Sequence, residues 1–285
     1  MKRIKLSMVA IAAMSLVSTA NANNLAEALS NGKITGDASV TYESRKQNKE
    51  LPSYYINSGY SVGSIGINYK TAQFNNLSMN IGLRAYKTLM EDNENSTTGH
   101  GTGDASERFY EDGKNRTVEV EQAYIAYDVN NVNIKAGRQF ISTEWINKTQ
   151  DAVSLYTNLD NTALELIWTN RQGRVYSRDY RPMTQVNQSN GGLYKLGITQ
   201  KLNDSVSAKA YGVTAPKLKD IYGAKINYKM DTFALMAHYA ATNEDVAATK
   251  DSNILELKAS TSFQGYSATL GYVKTDKDAA FNHIA

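Results

Sequence analysis

Apolar and polar residues alternate with a period of two along most of this chain. In residues 118–140, Ala123, Ile125 and Tyr127 fall on one side of such a pattern, which resumes after the pair Asn130 and Asn131. A period of two is typical of β-strands, because successive side chains leave opposite faces. Asparagine tolerates the left-handed conformations of a tight turn, so this segment predicts a β-hairpin. One face of the hairpin would be apolar, as expected in either a soluble sandwich or a membrane barrel.

The same alternation predicts about thirteen strands. They cover residues 34–43, 59–70, 77–85, 118–129, 132–140, 152–159, 162–169, 192–200, 205–214, 221–229, 233–241, 253–261 and 266–274. The connections after even-numbered strands are short, whereas those after odd-numbered strands are mostly long, including loops at 45–57, 89–116, 142–151 and 171–190. Outer-membrane barrels sort their connections in this way, and a strand of about ten residues spans a bilayer when tilted.

These features predict an all-β fold, a transmembrane antiparallel up-and-down β-barrel. Barrels of this kind have even strand numbers, but thirteen strands are counted and residues 275–285 do not form a closing strand. We therefore expect an unclosed sheet of about 12–14 strands in this chain. The full barrel would have about 16–18 strands, with the C-terminal ones missing here.

The first 22 residues have the three parts of a secretory signal peptide. Lys2, Arg3 and Lys5 form a basic region, residues 6–17 are mostly apolar, and residues 20–22 read Ala-Asn-Ala. Small residues at the first and third of these positions are typical of a cleavage site. The sequence thus predicts a signal at 1–22 and an exported barrel segment at 23–285, in the outer membrane of a Gram-negative cell.

Composition excludes several classes of function. Without cysteine the chain has neither disulfides nor thiol chemistry. Removing the predicted signal leaves 31 − 3 = 28 basic residues against 28 acidic ones, so nothing suggests a nucleic-acid partner. The 19 tyrosines, against 6 phenylalanines and 2 tryptophans, are compatible with the aromatic girdles of a membrane barrel.

Three segments resemble the Opr-type outer-membrane porins, which are OprD-like. They are NNLAEALSNGKITGDASV at 23–40, NIKAGRQF at 133–140 and ATLGYVKTDKDAA at 268–280. The resemblance implies a larger barrel, commonly of 18 strands, that passes small hydrophilic solutes and often anions or carboxylates. It also implies that several C-terminal strands, including the closing one, are missing from this chain.

Candidate pore-lining residues follow from strict alternation along the predicted strands. The basic ones are Arg84, Lys135, Lys209, Lys225 and Lys258, and the acidic ones are Asp37, Glu43 and Asp128. The long loop at 171–190 adds Arg171, Arg174, Arg178 and Arg181 against Asp179 alone. This loop is either a solvated outer loop or folds toward the pore to meet acidic groups. Rings of charged side chains select ions, so the basic excess predicts a mild preference for anions.

Arg138 conflicts with the alternation. Counting from Val132 places it toward lipid near mid-membrane, where an arginine costs about 2–4 kcal/mol. Gly137 can adopt backbone angles that other residues avoid, and a glycine inside a strand often marks a bulge. We therefore predict a bulge or bend at 136–137 that turns Arg138 into the lumen, beside Glu121 or Glu144.

Nothing in the sequence predicts catalysis, a metal site or a cofactor. The three histidines His100, His238 and His283 show no metal-ligand spacing, and alternation places His238 in the lumen. The leading hypothesis is a passive porin for small hydrophilic solutes or ions. A surface adhesin with a plugged lumen and an outer-membrane hydrolase are the alternatives. Expected partners are membrane lipid and these solutes, and assembly as a homotrimer is left open.

Overall fold

The computed structural model describes residues 7–15, 21–45, 58–92, 105–110, 117–187, 191–246, 249–279 and 281. These residues form fifteen strands, one short α-helix at Leu25–Ser30 (α1) and a 3₁₀ turn at Ala105–Arg108. The strands are β1 Ser7–Ser15, β2 Lys33–Arg45, β3 Ser58–Lys70, β4 Leu77–Asp92, β5 Val118–Val129, β6 Val132–Thr143, β7 Ile146–Leu159, β8 Thr162–Val175, β9 Tyr180–Gln185, β10 Leu193–Lys201, β11 Val206–Ala215, β12 Lys219–Lys229, β13 Phe233–Glu244, β14 Asn253–Phe263 and β15 Tyr266–Thr275.

The strands form one antiparallel sheet in chain order. Fourteen strands follow one another from β1 to β15, and β9 lies off this path, paired with the end of β8. The thirteen strands predicted from alternation correspond to β2–β8 and β10–β15. Within the described residues no ladder joins the two ends of the sheet, so the predicted unclosed sheet is confirmed.

Strand β1 lies inside the predicted signal peptide. It pairs with β2 from Ser7↔Glu43 to Ser15↔Thr35 and so covers the edge of β2 that faces away from β3. The signal peptide itself stays a prediction.

The two faces of the sheet have the reverse of the polarity found in a soluble protein. On β4, the outward-facing Met79, Ile81 and Leu83 are exposed, whereas Asn80 and Arg84 on the inner face are buried. Aliphatic side chains on the outer surface and satisfied polar groups inside are what a bilayer around a polar lumen requires. Among the described residues, no helix is both long and apolar enough to cross a membrane.

Two predicted loops are largely strands. In place of the loop at 142–151, β6 and β7 meet at a two-residue turn, Glu144 and Trp145. In place of the loop at 171–190, β8 continues to Val175 and returns as β9. The first half of β7, Ile146–Asp151, carries polar residues on both faces, so apolar alternation could not reveal it.

The predicted bulge at Gly137 is wrong. The ladder between β6 and β7 is unbroken from Val132↔Thr157 to Thr143↔Ile146. Gly137 nevertheless has a φ of +125°, in the region that favours glycine. The register shifts lie on neighbouring strands, between Gly82 and Leu83 in the β4–β5 pair and between Asp151 and Ala152 in the β7–β8 pair.

Arg138 therefore keeps the ladder row of Val132, Ile134 and Ala136, and the turn of its side chain into the lumen stays a prediction. Its guanidinium pairs with Asp151, Nε to Oδ1 at 2.7 Å, rather than with Glu121 or Glu144. It also donates to the Val120 carbonyl at 3.2 Å. Pairing of β5 with β6 ends at Ala123↔Arg138, so this arginine satisfies a carbonyl at the point where the two strands separate.

Candidate pore lining

The turn between β6 and β7 folds onto the inner face of β10–β12. Beyond Arg138, β6 no longer pairs with β5, so the ends of β6 and β7 are free to leave the sheet wall as a hairpin. We call Thr143, Glu144 and Trp145 the hairpin tip. Lys195 Nζ donates to the Glu144 carbonyl at 3.2 Å, and it also bonds the Thr143 hydroxyl. The tip is thus attached to β10, which lies two positions beyond β7 along the sheet.

Three lysines surround the carboxylate of Glu144. Its oxygens lie 2.9 Å from Lys195 Nζ, 2.6 Å from Lys209 Nζ and 2.7 Å from Lys225 Nζ. The lysines stand on β10, β11 and β12, and Lys209 and Lys225 are directly opposite each other in the ladder. Glu165 on β8 adds a second carboxylate, 2.8 Å from Lys195 Nζ and 3.5 Å from Lys209 Nζ. This lysine cluster holds three ammonium groups and two carboxylates, which leaves one net positive charge.

The environment of Glu144 fixes its charge. Burial raises the pKa of the Glu144 carboxyl, but hydrogen bonds from Lys209 and Lys225 and the charge of Lys195 lower it more. The pKa of Glu144 therefore lies well below its usual range, and the tip carries a full negative charge at neutral pH.

Arg84 lies in a second ionic network on the opposite part of the inner face. Its guanidinium bonds both carboxylate oxygens of Asp37 on β2, at 2.6 and 2.9 Å. It also bonds both oxygens of Glu121 on β5, at 3.0 and 3.2 Å, and the Ser64 hydroxyl at 2.8 Å. Only 4% of the Arg84 side chain is exposed. Arg84 is thus on the predicted face, but it ties four strands together instead of presenting a charge to solutes.

The hairpin of β8 and β9 crosses over the inner face as well. The Ser39 hydroxyl on β2 donates to the carbonyl of Ser177, in the turn between β8 and β9, at 2.9 Å. Behind this contact lies a buried, mostly aromatic cluster formed by Tyr60, Val62, Tyr86, Ala105, Phe109, Tyr110, Val175 and Tyr180. It fills the space between β3, β4 and the hairpin, so of the two alternatives for this segment the contacts favour the one in which it folds toward the pore.

The four arginines of this segment differ in their surroundings. Arg174 pairs with Asp179 across the hairpin at 3.3 Å, and Arg171 donates to the Met183 carbonyl at 2.8 Å. Arg178 is exposed in the turn, and Arg181 lies opposite Arg174 in the ladder. Asp179 of the segment itself is thus one acidic partner, and Glu119 accepts from the Tyr180 hydroxyl at 3.0 Å.

Further predicted residues lie on the inner face, and the prediction missed Lys195 and Glu165 there. Lys135 stands over the Tyr124 ring at 5.4 Å, and His238 is buried beside Lys225. Lys195 was not predicted, although it lies between Tyr194 and Leu196, which both face outward. The alternation in β10 could have revealed it, whereas the inward fold of Glu144 has no counterpart in the pattern. Among the described residues no group of side chains could hold a metal ion.

The chain was compared with known proteins. The model of the family described as Campylobacter major outer membrane protein matches residues 1–227. No curated protein sequence matched the chain.

Several solved barrels share the fold. OccAB4 of Acinetobacter baumannii is 12% identical with a TM-score of 0.62, over 86% of this chain and 67% of that one. OpdO of Pseudomonas aeruginosa is 10% identical with a TM-score of 0.67, over 88% and 66%. OpdK of Pseudomonas aeruginosa, solved with vanillate, is 11% identical with a TM-score of 0.63, over 87% and 67%.

These structures are OprD-family barrels, so the resemblance noted in the sequence is confirmed, and the chain spans about two thirds of their length. Identities this low establish the fold alone. The family match is more specific, because it extends over most of the chain. This chain belongs to the Campylobacter major outer membrane protein family.

Proposed function

We propose that this protein is an outer-membrane porin, a water-filled channel through which small hydrophilic solutes diffuse, with a mild preference for anions such as carboxylates. The observation that carries the preference is the lysine cluster at the hairpin tip, with three ammonium groups against two carboxylates. Fixed charge beside a narrow passage raises the local concentration of the opposite ion. Lys135 and Lys258 add positive charge to the same face of the sheet.

The comparisons support the same class of function. The family is one of major outer membrane proteins, and one of the similar structures, OpdK, was solved with vanillate, whose acid group is a carboxylate. Vanillate is a property of that protein. For this chain it supports a preference for carboxylates as a class.

A planar-bilayer recording of the protein purified from outer membranes tests the proposal. Discrete conductance steps and a zero-current potential that favours anions in asymmetric salt are expected. Replacing both Lys209 and Lys225 with glutamine changes the cluster from 3 − 2 = +1 to 1 − 2 = −1, so the preference should shift toward cations. Lys201→Gln, at an exposed position at the end of β10, is the matched control and should leave the potential unchanged.

Two results would count against the proposal. Silence of the wild-type protein in the bilayer would favour an adhesin whose lumen is filled by the two hairpins. A conducting protein whose zero-current potential ignores the double variant would show that the lysine cluster does not face the path of the ions.

A further inference from the structure

The second residue of the hairpin tip, Trp145, is held in an uncommon conformation. Its φ is +66°, a left-handed value that is a genuine outlier for a bulky side chain. Such residues persist where the surroundings fix them, and they concentrate at functional sites. The indole ring packs against the rings of His238 and Phe281, with centroids 5.7 and 4.7 Å away. Both rings lie close to the inner face onto which the tip folds.

A chain of hydrogen bonds runs from this indole into the sheet. Trp145 Nε1 donates to the Tyr211 hydroxyl oxygen at 2.7 Å. The Tyr211 oxygen lies 2.6 Å from His238 Nε2, and His238 Nδ1 lies 2.5 Å from the Glu256 carboxylate. The four residues belong to the tip, β11, β13 and β14, so the hydrogen bonds run from the tip across neighbouring strands of the sheet, next to Lys209 and Lys225 on β11 and β12.

The donors and acceptors of this chain permit one consistent direction. An indole nitrogen can only donate, so the Tyr211 oxygen accepts from Trp145 and its own hydrogen is free to point at His238 Nε2. His238 Nε2 then accepts, Nδ1 carries the proton, and this proton is donated to Glu256. Every polar group in the chain is satisfied with a neutral imidazole, and Tyr211 and His238 are 6% and 3% exposed. A buried, fully satisfied polar chain is rigid, because breaking any link leaves a group without a partner.

We infer that Trp145 is a positioning residue, which holds the hairpin tip in place beside the passage for solutes. Through Tyr211, His238 and Glu256 it holds the tip against β11–β14, and this placement keeps the adjacent Glu144 among Lys195, Lys209 and Lys225. We call this set of hydrogen-bonded residues the tether. The tether therefore sets both the width of the passage beside the tip and the extent to which Glu144 neutralises the positive charge of the lysines. This inference rests on the proposed porin function and deepens it, since it names the residues that set the selectivity of the same site.

Trp145→Phe tests the tether, because phenylalanine keeps most of the ring packing and removes only the indole N–H. Loss of this bond should lower the ratio of docked to undocked tip about fivefold, the factor that corresponds to roughly 1 kcal/mol. When the tip undocks, Glu144 leaves the lysines, so the channel should show added transitions to a wider state and a stronger anion preference. Tyr211→Phe removes the same acceptor from the sheet side and should produce the same change.

The other tryptophan of the chain supplies the matched control. Trp168 lies on the outer face of β8, and Trp168→Phe removes an indole N–H without touching the tip. Its conductance steps and zero-current potential should equal those of the wild type. If Trp145→Phe also equals the wild type, the tether does not position the tip and the inference is overturned.

A fluorescence measurement separates positioning from general stability. In the Trp168→Phe background Trp145 is the sole tryptophan, and His238→Gln removes the stacked imidazole while keeping a polar side chain. Release of the tip should red-shift the Trp145 emission and increase its quenching by iodide, with the folded fraction on an unheated gel unchanged. An unchanged spectrum would overturn the tether, whereas a silent wild-type channel would overturn only the porin proposal.

Discussion

Gly137 lies one residue before the point at which β6 stops pairing with β5. Its φ is +125°, and a methyl group at this position would lie 2.3 Å from the Ala123 carbonyl oxygen and 2.9 Å from Tyr124 Cα. Side chains are therefore excluded by both the backbone angle and the neighbouring strand. The positive φ and the close approach of β5 are both possible because glycine has no Cβ atom.

Gly137→Ala should destabilise the folded barrel by about 1–3 kcal/mol, the usual cost of a non-glycine residue held in a sparsely populated backbone region. Urea titration in lipid vesicles, followed by the mobility of unheated samples on a gel, measures this. Gly271→Ala is the control, because a methyl group there meets nothing within 4 Å. Equal urea midpoints for the two variants would show that a side chain at position 137 does not destabilise the protein.

Arg84 illustrates the cost of removing one partner from a buried network. Arg84→Gln leaves Asp37 and Glu121 close together without the cation that both of them bind. Breaking a buried pair in this way typically costs about 3–5 kcal/mol, because uncompensated charge remains inside. We expect the same urea titration to show this loss, while Lys70→Gln, at the exposed end of β3, stays within about 0.5 kcal/mol of the wild type. A small effect at Arg84 would mean that water solvates these carboxylates.

For single residues, the sequence predicts well which face of the sheet a side chain lies on, but it predicts poorly which residues that side chain contacts. Alternation assigns Arg84, Lys209 and Lys225 to the inner face correctly. Arg138 was reassigned by an energetic argument that assumed bare lipid around it, and the structure supplies Asp151 and the Val120 carbonyl instead. Asp151 fell within the predicted loop at 142–151, so its place opposite Arg138 in the β6–β7 ladder could not be predicted from the alternation.

Two hairpins give the lumen its shape at the scale of elements. The β6–β7 hairpin reaches the lysines of β10–β12, and the β8–β9 hairpin reaches Ser39 on β2. Their inward segments, at 142–151 and 171–190, were predicted as loops, because these segments are mostly polar and contain no regular apolar row. A strand that leaves the membrane wall loses the lipid contact that generates alternation, so the elements that narrow the pore are the ones the pattern cannot show.

The pKa of Glu144 gives the β6–β7 hairpin a defined pH dependence. A carboxylate whose pKa is lowered on folding stabilises its docked state above its unfolded pKa of about 4.3, and this contribution is lost only as pH falls through the folded value. The pKa of Glu144 lies well below its usual range, so the tip should stay docked in mild acid. The difference in zero-current potential between wild type and Glu144→Gln should therefore be the same at pH 7 and at about pH 4.5. A difference that shrinks by about half at the lower pH would point to a carboxyl group with an ordinary pKa.

Across the whole molecule, the sequence predicts the class of fold and thirteen of the fourteen consecutive strands of the sheet, because lipid imposes a period of two on every strand that touches it. The open sheet is anticipated in the same way, from an odd count of strands. The strand at Ser7–Ser15 is not anticipated, since a signal-like apolar segment has no alternation to read. It lies on the free edge of β2, where unpaired backbone groups favour any extended partner.

The two tryptophans of the chain make it possible to test which face of the sheet meets lipid, since one lies on each face. Trp168 stands in the outer row with Val153 and Tyr194 and is 38% exposed, whereas Trp145 is partly buried at the hairpin tip. With the protein in vesicles, brominated acyl chains should strongly quench the Trp145→Phe variant, whose only indole faces lipid. The Trp168→Phe variant should be nearly insensitive to the brominated lipid, because the sheet wall separates its indole from the acyl chains. Equal quenching of both variants by the lipid would invert the assignment of the two faces, and with it the placement of the lysine cluster in the lumen.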